Sequence, residues 1–197
     1  MIKAEILLLT AGKSSRMGQP KALLSIKGQP LISYQINRLK ELGLPITVVL
    51  GAYADAISKV VTSKEVRLDL NKDFEKGMGS SIAFGTNSIR NTNPEIDAIL
   101  VYAIDQPLVP LDHFENLLST ASKTDFSIIQ SLSEAGWRGI PTLFKSNHFE
   151  ALSKLSGDEG AKSIIQNNQS MVKAVEAPTD SLIDIDTYEQ YQSLNLD

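Results

Sequence analysis

Apolar residues recur along this chain in two alternating rhythms. Within EILLL (5–9), residues 6–9 form an unbroken apolar run, the pattern of a strand covered on both faces. The segment LISYQINRLKELG (31–43) instead spaces Ile32, Ile36 and Leu39 at helical intervals and stops at Gly43. After Pro45 the β-branched run ITVVL predicts a second strand, AYADAISKVV a short helix and EVRLDLN a third strand. Glycines and serines in KGMGSSIAFGTNSI open a helix carrying Ile82 and Ile89. AILVYAID (98–105) is the clearest central strand and ends at Asp105-Gln106-Pro107. Pro110 and Asp112 introduce a helix reaching Ala121, and DFSIIQSL predicts a further strand. GWRGIPTLF reads as a turn leading into a short strand, HFEALSKL and DEGAKSIIQN as helices, MVKAVEA as a strand and IDTYEQYQSL as a closing helix. Strands alternating with helices in this way predict an α/β protein, with a mainly parallel sheet covered by helices on both faces. No repeat, low-complexity segment or linker interrupts the pattern, so residues 1–197 are expected to form a single domain.

Composition removes several classes of function. No apolar run approaches the roughly 18–20 residues of a membrane helix. The opening MIKAEILLLT lacks a small-residue cleavage pattern and reads as the first strand, so no membrane association is expected. The chain contains no cysteine, which rules out disulfides and cysteine-based nucleophiles or metal sites and fits a reducing cytoplasm. His113 and His148 stand apart in polar, helix-like surroundings, and neither is expected to be catalytic. A formal net charge of -4 argues against a long nucleic-acid surface. A small anionic substrate needs only a local cationic pocket.

Such a pocket is suggested by LLLTAGKSSRMGQPKALL (7–24). The strand breaks at Gly12, and Lys13, Arg16 and Lys21 follow closely. A loop leaving the carboxyl end of a parallel strand faces the crevice where α/β proteins bind ligands. Gly12 allows close backbone approach, the amides from Gly12 to Ser15 can point at phosphate oxygens, and Arg16 and Lys21 supply charge. The spacing matches neither GxGxxG nor a Walker loop. On the residues alone, a phosphate-binding loop and a solvated turn both remain open.

The longer stretch LTAGKSSRMGQPKALLSIKGQPLI resembles the signature of the MobA-like nucleotidyltransferases, and looks most like their branch of molybdenum cofactor cytidylyltransferases. NKDFEKGMGSSI, AIDQPLV, GIPTLF, LSGDEGAKSII and LIDIDTYEQY follow in the family order. The resemblance implies a three-layer α/β/α Rossmann-like nucleotidyltransferase domain with a mostly parallel mixed sheet. It implies that Gly12 and its neighbours Lys13, Ser14 and Ser15 wrap a triphosphate that Arg16 and Lys21 neutralise. It places Leu9, Thr10 and Ala11 against the base, Asn71 and Ser80 at nucleoside-contact positions, and Asp105 and Asp186 as the pair holding Mg²⁺. The implied reaction is transfer of CMP from CTP to the phosphate of a molybdopterin-type cofactor, with pyrophosphate released. The chain departs from the family pattern at Thr10, where alanine is usual, and at Ile140, where histidine commonly precedes the proline. The first departure adds a hydroxyl beside the expected base or ribose; the second lies on the acceptor side.

Chemistry agrees with these roles without selecting them. Nucleotidyl transfer needs alignment and charge compensation more than a protein nucleophile. Mg²⁺ accepts one or two carboxylates together with phosphate oxygens. Asp105 either serves in that way or makes a local turn bond at the strand end. Asp184 and Asp186 are each also candidates to cap the last helix. Trp137 and Arg138 either meet a phosphorylated pterin-type acceptor or, respectively, pack the loop and face solvent. Guanylyl transfer, another phosphorylated acceptor, and a nucleotide-dependent chaperone engaging a molybdoenzyme maturation partner are the competing functions.

Overall fold

A computed structural model describes residues 2–12 and 17–194. Its centre is a seven-stranded sheet of β1 (Ala4–Leu9), β4 (Ile46–Leu50), β5 (Val66–Leu70), β6 (Ala98–Ala103), β7 (Ile128–Leu132), β8 (Arg138–Lys145) and β9 (Val172–Glu176). A two-stranded hairpin, β2 (Ser25–Ile26) and β3 (Gln29–Pro30), lies apart from it. Across the main sheet the order is β5-β4-β1-β6-β8-β7-β9. β1 pairs parallel with β4 and β6, β4 with β5, and β7 with β9. β8 runs antiparallel to both its neighbours, β6 and β7. The sheet is therefore mixed and mostly parallel.

Alternation along the strands builds the layers. In β1, Ile6 and Leu8 join one core with Val48, Leu100 and Tyr102, while Leu7 and Leu9 join the other with Val49, Ile99 and Val101. The first core is closed by α1 (Leu31–Leu39), α2 (Ala54–Val60) and α4 (Leu111–Lys123), through Ile32, Ile36, Ile57, Phe114 and Leu117. The second is closed by α3 (Met78–Thr92), α5 (Phe149–Leu152) and α6 (Lys162–Asn167), through Ile82, Ile89, Phe149, Leu152 and Ile164. α3 lies so near the sheet that a Cβ on Gly85 would sit 2.3 Å from a Leu7 methyl. A side chain there would have to displace the Leu7 and Val49 methyls.

Several details differ from the sequence expectation. The central strand stops at Ala103, and Ile104-Asp105 already turns. The segment expected as a short strand after the Gly136 turn is the eight-residue β8, which lies inside the sheet. The helix expected over 148–155 is a single α-turn, α5, because the following chain bends through Gly157 (φ 77°) and Gly160 (φ 57°). His113 and His148 are buried rather than polar-facing: their Nε2 atoms meet Ser131 Oγ at 2.8 Å and Ser127 Oγ at 2.7 Å. Burial lowers the pKa of both imidazoles. They fasten α4 and the α5 approach to the sheet, away from the crevice.

A third, small core is the one that matters most for the site. Met17, Leu24 and Ile185 are buried together, with Tyr191 and Leu194 packed against them. Tyr191 belongs to α7 (Tyr188–Ser193), and its hydroxyl donates to the Ser25 carbonyl of the hairpin. The hairpin reverses through Lys27 (φ 50°) and Gly28 (φ 74°), both left-handed, as a tight two-residue turn requires. The loop after β1 is thereby clamped to the last segment of the chain.

Candidate active site

The carboxyl ends of the paired strands β1 and β6 open into a cleft of about 420 Å³. Leu9, Thr10, Ala11, Gly12 and Lys21 form one part of its wall, Ala103, Ile104, Asp105 and Asp186 another, and Phe74, Glu75, Gly77, Met78, Ser81 and Asp158 a third. Lys13, Ser14, Ser15 and Arg16 lie outside the described residues.

Lys21 joins the two carboxylates. Its Nζ lies 2.8 Å from Asp186 Oδ1 and 3.2 Å from Asp105 Oδ2, with the lysine side chain only 14% exposed. Backbone bonds bring the three parent segments to one point. The Ile104 amide donates to the Leu9 carbonyl (3.1 Å), and the Ile185 amide to the Asp105 carbonyl (2.8 Å). Ile185 is buried in the small third core, so Asp186 emerges beside the loop that carries Lys21. The helix-cap alternative falls to Thr187, whose hydroxyl accepts from the Gln190 amide. Gln190 Oε1 accepts from the amides of Asp186 (2.7 Å) and Thr187 (2.9 Å), so the Asp186 carboxylate is not the cap and meets Lys21 instead.

Asp105 is held from beneath. Tyr102 Oη donates to the Gln106 carbonyl, and Gln35 Nε2 reaches Tyr102 Oη at 2.5 Å. Arg38 donates to the carbonyls of Pro107 (3.0 Å) and Val109 (2.6 Å) and to Gln35 Oε1 (2.9 Å). One face of α1 thus supports the turn that presents the carboxylate. Asp184 completes an acidic group. Partial desolvation, then the charges of Asp105 and Asp186, push its pKa up to about 6, with Gln106 and Lys21 acting in the opposite direction. The residue as a whole is exposed; the crowding falls on its carboxyl.

Of Thr10, Asn71, Ser80, Trp137 and Arg138, only Thr10 lines the cleft. Thr10 Oγ1 donates to the Val49 carbonyl at 2.9 Å, so its hydroxyl is engaged by the sheet. Asn71 and Ser80 come together but are both buried. Asn71 Nδ2 reaches Ser80 Oγ and Ser81 Oγ, each at 3.2 Å, while its Oδ1 accepts from the Asp73 amide at 3.0 Å. Ser80 Oγ donates to the carbonyls of Asp73 (2.9 Å) and Gly77 (2.8 Å). Ser81, not Asn71 or Ser80, belongs to the cleft wall. Trp137 is exposed and lines a separate groove of about 430 Å³ with Pro178, Leu182 and Ile183. Arg138 is exposed and borders neither cavity.

Several lining residues were not assigned to the site from the sequence, Ser81, Asp158 and Tyr53 among them. Asp158 reaches the cleft because residues 156–158 pack on the start of α3: the Gly79 amide donates to the Gly157 carbonyl, and the Gly157 amide to the Lys76 carbonyl, both at 2.8 Å. A Cβ on Gly79 would meet the Ser156 carbonyl oxygen at 2.7 Å. The glycines of GMGSS were the available signal. Tyr53 also lines the cleft, at the start of α2, with no comparable mark in the sequence.

A strand-end cleft with a glycine-opened loop, a lysine and two convergent carboxylates defines an α/β enzyme suited to a polyanionic substrate. Comparison makes the class specific. Residues 6–173 match the model of the MobA-like NTP transferase domain, and the chain belongs to that family. It is a nucleotidyltransferase of the MobA-like type. The chain is 31% identical over 193 residues to the purine catabolism protein PucB of Bacillus subtilis, covering 93% of this chain and 91% of that one. It is 30% identical over 196 residues to nicotine blue oxidoreductase of Paenarthrobacter nicotinovorans, covering 95% and 94%. Rv0371c of Mycobacterium tuberculosis shares the fold with a TM-score of 0.82 at 21% identity, over 98% of this chain and 97% of that one. A structure of Rv0371c in complex with manganese superimposes with a TM-score of 0.79, also at 21% identity and over the same shares of the two chains. Among the described residues, no helix is long and apolar enough to cross a membrane.

Proposed function

We propose that this protein transfers CMP from CTP to the phosphate of a molybdopterin-type cofactor, with Mg²⁺ held by Asp105 and Asp186. The observation carrying the site assignment is the convergence of both carboxylates on one cation, the Lys21 ammonium. Two hard oxygen donors that meet at one positive charge suit Mg²⁺, which binds through one or two carboxylates plus phosphate oxygens. Among the described residues no three carboxylate or imidazole side chains are placed to hold one ion together, Asp184 included, so the remaining positions fall to substrate and water. The preference for CTP and the pterin acceptor rest on the sequence resemblance to the cytidylyltransferase branch.

Bound metal supplies charge compensation at the reacting phosphate. In the reaction an acceptor phosphate oxygen bonds to the α-phosphorus as the α–β oxygen bond breaks, and pyrophosphate leaves. A phosphomonoester is already ionised near neutral pH, so the chain need not supply a base. The Gly12 backbone receives the phosphates, Lys21 and Arg16 compensate their charge, and the wall of Leu9, Thr10 and Ala11 meets the base. Ser81, beside the buried Asn71–Ser80 pair, faces the nucleoside. Trp137 and Arg138, which lie outside the cleft, contact the acceptor away from its reacting phosphate.

The test is pyrophosphate release with CTP, GTP, ATP and UTP, with and without Mg²⁺ and purified pterin acceptor. CTP should be preferred, and release should require both metal and acceptor. A GTP preference moves the protein to guanylyl transfer. Binding of nucleotide without release under any condition favours the maturation chaperone. A parallel arm monitors oxidation of a reduced nicotinamide, because one relative is named an oxidoreductase; turnover confined to that arm overturns the proposal.

A further inference from the structure

We infer that Lys21 is a built-in counter-cation for the metal site, occupying the position between Asp105 and Asp186 that a divalent ion takes, so that lysine and metal exclude one another on these carboxylates. The inference rests on the assignment of Asp105 and Asp186 as the metal pair.

Three observations support it. The ammonium lies within 3.2 Å of Asp105 and 2.8 Å of Asp186, spanning the pair as one ion would. Lys21 is fixed in register by its surroundings: it starts a 3₁₀ turn, Lys21–Leu23, whose next residues Ala22 and Leu24 are buried. Asp184 adds a third carboxyl nearby, so without a cation the cluster would concentrate negative charge at one strand end. A compact ammonium on a flexible stem can compensate such a cluster and later move, which a rigid guanidinium does less readily. The triphosphate offers Lys21 an alternative anion in the same cleft, whose wall includes Gly12, Lys21 and both aspartates. Nucleotide binding therefore draws the lysine away and frees the carboxylates for metal.

Mn²⁺ binding in the absence of nucleotide, measured by titration calorimetry, tests this directly. Lys21→Met should bind Mn²⁺ about tenfold more tightly than wild type, because a competing charge is gone. Lys21→Arg, which keeps the charge, should gain far less. Unchanged or weaker binding by Lys21→Met overturns the inference. Asp105→Asn in the wild-type background separates the two levels. If it does not weaken Mn²⁺ binding, the metal assignment fails together with the counter-cation. If it does weaken binding while Lys21→Met shows no gain, the counter-cation alone fails. Should Lys21→Met not fold, the wild-type protein still decides: saturating Mg²⁺ without nucleotide should shift the Lys21 side-chain ammonium resonance, assigned by its loss in Lys21→Arg. Mg²⁺ binding with that resonance unmoved overturns the inference.

Discussion

Two polar regions stand at the cleft, one charged and one neutral, and they differ in physics. Around Lys21, Asp105 and Asp186, charged groups from three distant segments meet one another at a partly open surface. Around Asn71, Ser80 and Ser81, neutral groups from one stretch of chain bond to each other and to nearby backbone, mostly out of water. The first region holds charge ready for exchange with a ligand. The second holds shape, keeping the turn before α3 closed so that Phe74, Gly77, Met78 and Ser81 stand in the cleft wall. Reactive polar groups and supporting polar groups are thus distinguished by what already satisfies them.

The largest expected effect that would break this contrast comes from Asp105→Asn. Losing a charged partner costs on the order of 1.5–3 kcal/mol, or roughly ten- to a hundredfold in metal-dependent turnover. Its stability should move by less than about 1 kcal/mol, because a partly exposed ion pair contributes little to folding. Single-turnover rates and urea unfolding on the same preparation check both halves. Asn71→Ala should do the reverse: it leaves the Asp73 amide without its acceptor and should cost about 2 kcal/mol of unfolding free energy. Its kcat at saturating nucleotide should fall much less than that of Asp105→Asn. Equal losses of turnover in the two variants would erase the distinction.

Gly79→Ala sharpens the comparison from the side of shape. The added methyl meets the Ser156 carbonyl, a backbone group that cannot swing aside. Displacing residues 156–158 should cost about 1–3 kcal/mol and weaken nucleotide binding through the shifted Asp158, with less effect on Mn²⁺ affinity. Nucleotide and metal titrations together read this split.

The smallest effect concerns Asp184. Its folded-state pKa, about 6, lies above the ordinary value of 3.8. The stability it contributes is therefore fully present below pH 3.8 and is lost as pH rises through about 6. Asp184→Asn should raise the melting temperature by a few degrees at pH 7.5, and the gain should shrink between pH 6 and 4. Melting curves across that range, without metal, provide the check; a gain that does not vary with pH would remove the charge crowding from the account.

The alternating strands and helices were legible in the chain because the periods that mark them, two and about 3.6 residues, arise from local backbone geometry. The same holds for the strand-end placement of Gly12 and Asp105. The neighbourhood of each was not legible. Lys21 and Asp186 are 165 residues apart and meet because Met17, Leu24 and Ile185 bury one another, an association that no local period records. β8 reads as a short exit from a turn, yet it lies antiparallel inside the sheet because β6 and β7 both offer it hydrogen-bonding edges. Thr10 and Asn71 carry the polar atoms that a nucleotide contact would use, and each has spent them on a nearer partner. The sequence by itself determined which segments are strands and helices and which residue types stand at the strand ends, since both follow from short-range order along the chain. Only the tertiary structure decided which polar groups are already satisfied and which remain for chemistry, because hydrogen-bond and charge partners are chosen through space among all the segments that the core brings together.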